Sequence, residues 1–136
     1  MLFTFHVEGG NFSKAGFASS EVKKILKQIN IDSKIIKRVV VALYEGEVNV
    51  VAHAASGKIL VEVDDKHISI RIEDKGPGIE NIELAMREGY STASEDVRKM
   101  GFGAGMGLPN IKRNTDWFNI NSTVGEGTIL EMKTSF

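Results

Sequence analysis

The sequence predicts a two-layer α/β (α+β) sandwich, in which a mixed, mostly antiparallel sheet is covered on one face by helices. Two pairs of runs with alternating polarity, each joined by turn residues, predict hairpins. Two longer stretches carry apolar residues at helical spacing. The elements follow in the order strand, two helices, hairpin, glycine-rich stretch, helix, hairpin, which groups helices against a largely antiparallel sheet. Because 136 residues is a usual domain size, we expect residues 1–136 to form one domain.

The first half of the chain is predicted to contain a strand and two helices. Residues 2–7 alternate in polarity and end at a glycine pair, as an edge strand would. A first helix is expected over about 14–29, with Phe17 in its buried stripe. Asp32 is expected to be the N-cap of a longer helix that runs to about residue 54.

The second half is predicted to contain two hairpins, two short helices and a glycine-rich stretch. Residues 89–107 show no hydrophobic period. Proline is tolerated in the first turn of a helix, so Leu108-Pro109 can open one. The expected strands cover 58–63, 67–73, 117–123 and 128–132, and the expected short helices cover 82–88 and the residues after Leu108.

Composition and charge exclude several classes of function. The formal net charge of -1 offers no global attraction to nucleic acid or anionic lipid. The absence of cysteine excludes disulfides, thiolate metal sites and cysteine nucleophiles, and suits a reducing compartment. The sequence has neither a signal-peptide pattern nor an apolar run long enough to span a membrane. We therefore expect a cytoplasmic protein with no nucleic-acid or membrane partner.

Three polar residues of the longer helix are candidates for chemistry. Glu45, Asn49 and His53 are four residues apart, so their side chains are offset by only about 40° and project from one side. The Asn49 carbonyl oxygen could hold a hydrated Mg²⁺ bound to phosphates, while Glu45 accepts a proton from a water or a hydroxyl group that attacks the terminal phosphate. The alternative is a solvated helix face. His53 is expected to pack or cap rather than to catalyse.

A carboxylate at a predicted strand end is the second candidate. Asp74 precedes a turn that contains Gly76 and Gly78, where a flat base could approach the backbone closely. A carboxylate acceptor there would meet the exocyclic amino group of adenine and would disfavour guanine. The alternative is an ordinary Asp/Gly/Pro turn. Thr128, at the end of the last hairpin turn, could add a hydroxyl group near the base, although that segment looks first like turn chemistry.

The glycine-rich segment is the least ordinary part of the sequence. Glycine at every second position from 101 to 107 costs conformational entropy that a simple connector does not need. Free backbone N–H groups that lead into a helix form a cradle for phosphate oxygens. The pattern matches neither the P-loop nor the Rossmann fingerprint, and the alternative is a flexible loop. The residues expected at the phosphates are Gly101, Phe102, Gly103, Ala104, Gly105, Met106, Gly107 and Leu108.

In this order, the segments resemble the GHKL ATPase superfamily of gyrase, the large heat-shock chaperone, sensor histidine kinases and MutL. The resemblance implies a Bergerat-type ATP-binding fold that uses ATP or ADP with Mg²⁺. It implies that Glu45 is the catalytic base, Asn49 the magnesium ligand and Asp74 the adenine acceptor. Further nucleotide contacts are implied for His53, Gly76, Gly78, Ile79, Thr128 and a lid at about 89–107.

Segments 74–79, 88–92 and 107–113 are similar to bacterial anti-sigma and switch serine kinases. That subgroup implies transfer of the γ-phosphate of ATP to a serine or threonine of a small antagonist protein, and a possible homodimer. One alternative is a nucleotide-gated switch that sequesters a sigma factor with little or no kinase activity. Another is plain ATP hydrolysis, in which Glu45 would activate water.

The chain departs from this subgroup at two places. Residues 94–100 make the lid longer than in the shortest switch kinases, which puts lid closure in doubt. Gly46 lies inside the helix that carries Glu45, where glycine costs about 1 kcal/mol relative to alanine. The sequence therefore predicts reduced rigidity at Glu45.

Overall fold

The computed structural model describes residues 1–87 and 107–136. These residues form a five-stranded sheet in the order β1-β2-β3-β5-β4, with every strand pair antiparallel and helices packed on one face. The predicted two-layer fold is confirmed, and β1 is an edge strand as expected. The elements are β1 (Leu2–Glu8), a 3₁₀ turn (Phe12–Lys14), α1 (Phe17–Gln28), α2 (Ser33–His53), β2 (Ser56–Val63), β3 (His67–Asp74), α3 (Ile82–Ala85), α4 (Gly107–Arg113), β4 (Trp117–Thr123) and β5 (Gly127–Ser135).

Helix α1 begins later than the hydrophobic pattern predicted. Ala18, Val22 and Leu26 are buried at intervals of four residues and form its core face. The expectation that Phe17 is buried is wrong, because the helix phase assigns the core position to the next residue. Phe17 is 60% exposed and meets the Phe5 ring edge-on, with 6.4 Å between the ring centroids.

Helix α2 crosses the middle of the sheet. Asp32 is its N-cap, as predicted, since its carboxylate accepts a hydrogen bond of 2.8 Å from Lys34 N. Gly46 is buried against β3, where an added Cβ atom would collide with Ile72 Cδ1. The glycine that looked like a source of flexibility thus allows a close approach between helix and sheet, which argues against the expected loss of rigidity.

The two hairpins lie side by side in the sheet, and the core lies between the sheet and the helices. Strand β3 pairs with both β2 and β5, so it occupies the centre of the sheet. Strand β5 is longer than predicted because its pairing with β3 continues to Ser135, opposite His67. Helix α3 ends at Ala85 and so is shorter than expected. The core consists of Ala18, Val22, Leu26, Ile36, Val39, Ala42, Leu43, Val50, Ile59, Val61, Val63, Ile68, Ile70, Ile72, Leu108, Ile111, Leu130 and Met132.

Within residues 1–87 and 107–136, no helix has the length and apolar character that crossing a bilayer requires. Helix α2 packs against α1 on one flank and α4 on the other. This arrangement brings the second half of α2, the end of β3, the start of β5 and α4 to one side of the molecule, where the predicted site residues lie.

Candidate functional site

Helix α4 lies directly against the polar row of α2. A Cβ atom added at Gly107 would lie 3.2 Å from Asn49 Oδ1 and 3.4 Å from Glu45 Oε2. A side chain at position 107 would therefore crowd Asn49 and touch Glu45. The structure brings together Glu45, Asn49 and the last glycine of the glycine-rich segment, as the sequence predicted. The oxygen of Asn49 is the kind of ligand that Mg²⁺ prefers.

The Glu45 carboxylate has a partner that sequence reasoning missed. Asn110 Nδ2, on α4, donates a hydrogen bond of 3.4 Å to Glu45 Oε1. Asn110 Oδ1 in turn accepts one of 3.0 Å from Arg113 Nη2. The signal in the sequence was the position of Asn110, three residues after Gly107, which places both residues on one side of the same helix.

Glu47, two residues further along α2, has a structural role. It is 2% exposed, and its carboxylate accepts hydrogen bonds from Gly16 N and Ala18 N at 3.1 Å and from Ser19 N at 3.2 Å. These amides belong to Gly16, the N-cap residue, and to the first turn of α1, where N–H groups lack partners within the helix and the dipole favours negative charge. Glu47 therefore caps α1 and ties it to α2.

Asp74 lies at the end of β3, and one of its carboxylate oxygens accepts hydrogen bonds from the backbone. Its Oδ1 accepts hydrogen bonds from Gly76 N at 3.0 Å and Thr128 N at 3.1 Å. Among the described residues no group donates to Oδ2, which leaves that oxygen available to a ligand. Burial raises the pKa of the Asp74 carboxyl, and the backbone hydrogen bonds from Thr128 and Gly76 oppose that shift.

His53 ends the α2 row near Asp74. Burial lowers the pKa of the His53 imidazole, and the negative charge of Asp74 acts in the opposite direction. The polar row of α2 thus runs from α4, at Glu45, to the end of β3, at His53. The expectation that His53 packs agrees with its partial burial.

Two glycines allow close backbone contacts around Asp74. A Cβ atom at Gly127 would collide with the backbone oxygen of Asp74. Gly78 has φ of +77°, a conformation that other residues rarely adopt, and a Cβ atom there would lie 2.8 Å from Val124 Cα. Both positions therefore require glycine for the turn after β3 to lie against the β4–β5 hairpin.

A hydroxyl pair holds this turn in place. Ser122 Oγ accepts a hydrogen bond of 2.7 Å from Ile79 N and lies 2.8 Å from Thr128 Oγ1. Thr128 is buried, at 7% exposed. Sequence reasoning singled out Ile79 and Thr128 but missed Ser122, because nothing in the local pattern of β4 distinguishes it. Ser122 and Thr128 lie opposite each other across the hairpin. Aligning the two predicted strands in this register would have revealed Ser122 as the neighbour of Thr128.

The remaining predicted phosphate contacts lie mostly outside the described residues. Gly101, Phe102, Gly103, Ala104, Gly105 and Met106 are in that group, as is most of the predicted lid at 89–107. Leu108 is described, and its side chain belongs to the hydrophobic core. In the part of the chain that the structure describes, no three His, Cys, Asp or Glu side chains cluster as a metal site.

Comparison with known families assigns the chain to one of them. Residues 14–134 match the family described as the Histidine kinase-like ATPase domain. The chain belongs to this family. The predicted GHKL-type membership is confirmed, and nucleotide use is implied by it. The matched segment includes Glu45, Asn49, Asp74 and Thr128, so the whole of the candidate site lies within the family's domain.

Curated relatives of this histidine kinase-like ATPase domain cover most of the chain. The serine/threonine-protein kinase RsbT of Bacillus subtilis is 34% identical over 113 residues, which span 80% of this chain and 79% of that protein. An anti-sigma F factor of Caldanaerobacter subterraneus is 31% identical and spans 85% of this chain and 81% of its own length. The anti-sigma F factor of a Thermoanaerobacter species is 30% identical, with 97% and 94% covered.

Solved structures share the fold at low sequence identity. The mycobacterial sensor histidine kinase MprB superposes with a TM-score of 0.56 at 15% identity, over 99% of this chain and 97% of the other. A chain of the SiaB–SiaC complex from Pseudomonas aeruginosa gives a TM-score of 0.57 at 11% identity, over 98% and 89%. These likenesses confirm the predicted fold class.

Proposed function

We propose that this chain is a serine/threonine protein kinase of the anti-sigma-factor type, which transfers the γ-phosphate of ATP to a small antagonist protein in bacterial regulation. The observation that carries the proposal is the position of Gly107, where an added Cβ atom would lie within 3.4 Å of both Glu45 and Asn49 on α2. It places an acid and an amide oxygen beside backbone that can approach a phosphate chain. The names of the relatives, a serine/threonine-protein kinase and anti-sigma F factors, support the same activity.

The adenine end of the site would be the turn after β3. Asp74 Oδ2 is the acceptor for the exocyclic amino group, since Oδ1 is already held by Thr128 N and Gly76 N. Guanine presents a carbonyl at the equivalent ring position and would face the carboxylate unfavourably. The Thr128 hydroxyl lies nearby, held by Ser122.

The phosphate end would be formed by α2, α4 and the glycine-rich segment. Asn49 Oδ1 would hold Mg²⁺, which supplies charge neutralisation for the phosphates of ATP or ADP. The role of residues 101–106 as a phosphate cradle stays a prediction from the sequence. Gly107, the one glycine of that series whose position is described, lies where a cradle would have to end.

Glu45 would act as the general base. Its Oε2 faces Gly107 while Oε1 accepts from Asn110, so the carboxylate has lone pairs left for a hydroxyl proton. In transfer to a serine, the carboxylate takes the proton as the hydroxyl oxygen attacks the γ-phosphorus, and ADP leaves. The structure assigns no such freedom to Glu47, whose carboxylate is buried in the α1 cap.

The test is a transfer assay. The protein is incubated with Mg²⁺, ATP labelled at the γ-phosphate and the product of a neighbouring reading frame, and label is sought on that second protein. We expect label on serine or threonine with the parental protein and none with Glu45→Gln. Label on the kinase alone, or on histidine, would contradict the proposal.

The second candidate is a nucleotide-gated binding switch that sequesters a sigma factor with little or no transfer. The anti-sigma names of several relatives favour it. It predicts an ATP-dependent complex, seen by size-exclusion chromatography with light scattering, without label on the partner. The same chromatography tests the proposed homodimer. A cytoplasmic location, tested by fractionation, completes the proposal.

A further inference from the structure

Three polar side chains of α2 and α4 form a chain that ends on Glu45. Arg113 Nη2 donates to Asn110 Oδ1 at 3.0 Å, and Asn110 Nδ2 donates to Glu45 Oε1 at 3.4 Å. Asn110 and Glu45 are 65 residues apart in sequence, and the contact between them is partly buried. Asn114 follows the last residue of α4, and its Nδ2 donates a hydrogen bond of 2.8 Å to the backbone oxygen of Asn110.

The chemistry of Arg113 determines which end of the Asn110 amide reaches Glu45. An amide can present either an acceptor oxygen or a donor nitrogen, and the two ends have nearly the same shape. A guanidinium group has only donors, so the oxygen of Asn110 must face Arg113. The nitrogen is then directed at the carboxylate. Arg113 thereby selects the orientation that gives Glu45 a donor.

We propose that Asn110 is a positioning residue for Glu45 and that Arg113 orients the Asn110 amide for this task. This inference rests on the proposed function, because it concerns the geometry of the proposed base. The donor from Asn110 occupies Oε1 and leaves Oε2 facing Gly107, on the side where Asn49 lies. Small displacements of a reacting group lower the reaction rate strongly. A carboxylate held at one oxygen is therefore better aligned for proton transfer than a free one.

The sharpest test is Asn110→Asp, which keeps the shape of the side chain and removes the donor. An aspartate would replace the hydrogen bond from Arg113 with an ion pair while placing a second carboxylate beside Glu45. We expect single-turnover transfer to fall by between about tenfold and a hundredfold. Affinity for Mg-ATP, measured by calorimetry, and the melting temperature should not fall.

Two further variants separate positioning from packing. Asn110→Ala loses packing as well as the donor, so a purely structural role predicts that alanine is worse than aspartate; positioning predicts the reverse for transfer. Asn114→Ala is the matched control, since it removes an amide from the same helix end without touching Glu45. Parental transfer by Asn110→Asp, with the control also parental, would overturn the proposal.

A spectroscopic measurement tests the contact without any acceptor protein. The side-chain amide resonances of Asn110 in a ¹⁵N correlation spectrum, assigned by their loss in Asn110→Asp, should move in Glu45→Gln. They should stay in place in Glu73→Gln, a substitution on β3. If they do not respond to Glu45→Gln, the inference fails whatever the enzyme does. If they respond but the parental protein labels no partner, the proposed function fails instead.

Discussion

Glu45 and Glu47 lie two residues apart on α2, yet the structure uses their carboxylates in opposite ways. Glu47 is buried and accepts three backbone hydrogen bonds from the N-cap residue and the first turn of α1. Glu45 is partly exposed, and among the residues that the structure describes it receives one side-chain donor, from Asn110. A carboxylate whose acceptor sites are used by the fold is available for stability alone, while one with a spare oxygen can act on a ligand.

Asp74 is intermediate between these two acids. Its Oδ1 is held by two backbone amides, as in Glu47, while Oδ2 has no donor among the described residues, as in an open site. The number of carboxylate oxygens that accept hydrogen bonds from the backbone therefore differs with the role of the acid. Within the described part of the chain it is two in Glu47, which caps a helix, one in Asp74, the proposed adenine acceptor, and none in Glu45, the proposed general base. Four substitutions test this difference.

The largest effect is expected for Glu45→Ala on catalysis. Loss of a general base lowers the rate of transfer by about 10²- to 10⁴-fold. Affinity for Mg-ATP and the free energy of unfolding should stay near the parental values, because the fold uses little of this side chain. Quenched-flow transfer and calorimetry give the two numbers. Transfer at the parental rate would remove Glu45 from the mechanism.

Glu47→Ala should act on stability instead. It leaves three amides at the start of α1 without their carboxylate, two of them in buried hydrogen bonds, so the free energy of unfolding falls by about 3 kcal/mol. Urea denaturation followed by circular dichroism measures the change. Glu47→Gln, which keeps one acceptor oxygen, should lose less. A Glu47→Ala protein as stable as the parent would refute the cap.

Asn49→Ala tests whether the Asn49 side chain on α2 binds Mg²⁺. We expect affinity for ATP in the presence of Mg²⁺ to fall by about tenfold or more, since an oxygen ligand of the ion is lost. Affinity for ATP in the presence of EDTA should change little, and the fold should persist. Equal losses with and without Mg²⁺ would assign Asn49 to direct nucleotide contact.

The smallest effect concerns Asp74 and pH. Burial raises the pKa of its carboxyl, so protonation begins above the range of an ordinary aspartate and removes an acceptor for adenine. Affinity for ATP should therefore fall as pH is lowered from neutrality. A raised folded-state pKa also favours folding at low pH, an advantage lost as pH rises through that pKa. Asp74→Asn should consequently be no less stable at pH 7.

The calorimetric check is a pH series on both proteins. In Asp74→Asn the acidic fall in affinity that is due to this carboxyl should disappear. The preference for ATP over GTP should also shrink, because the amide can donate to the carbonyl of guanine. A parental pH profile in the variant would place the titrating group elsewhere.

Much of the fold could be predicted from the sequence because its signals are local. The four-residue spacing of α2, the Asp32 cap and the two alternating hairpins each depend on neighbours along the chain, and all are confirmed. The co-location of Glu45, Asn49 and Gly107 followed from matching ordered motifs to a family rather than from periodicity. The misplacement of Phe17 shows the limit of periodicity, since a shift of one residue in helix phase exchanges a buried position for an exposed one.

By itself the sequence determined the order of helices and strands, the family, and which side chains carry acid and amide groups. Only the tertiary structure decided that Gly46 allows α2 to pack closely on β3 and that Glu47 caps α1. It also decided that Ser122 forms hydrogen bonds with Thr128 and Ile79, and that Asn110 donates to Glu45. These contacts join residues brought together by packing. Burial and the pairing of polar groups are properties of that packing, so they decide which of two identical residues supports the fold and which is left free to act.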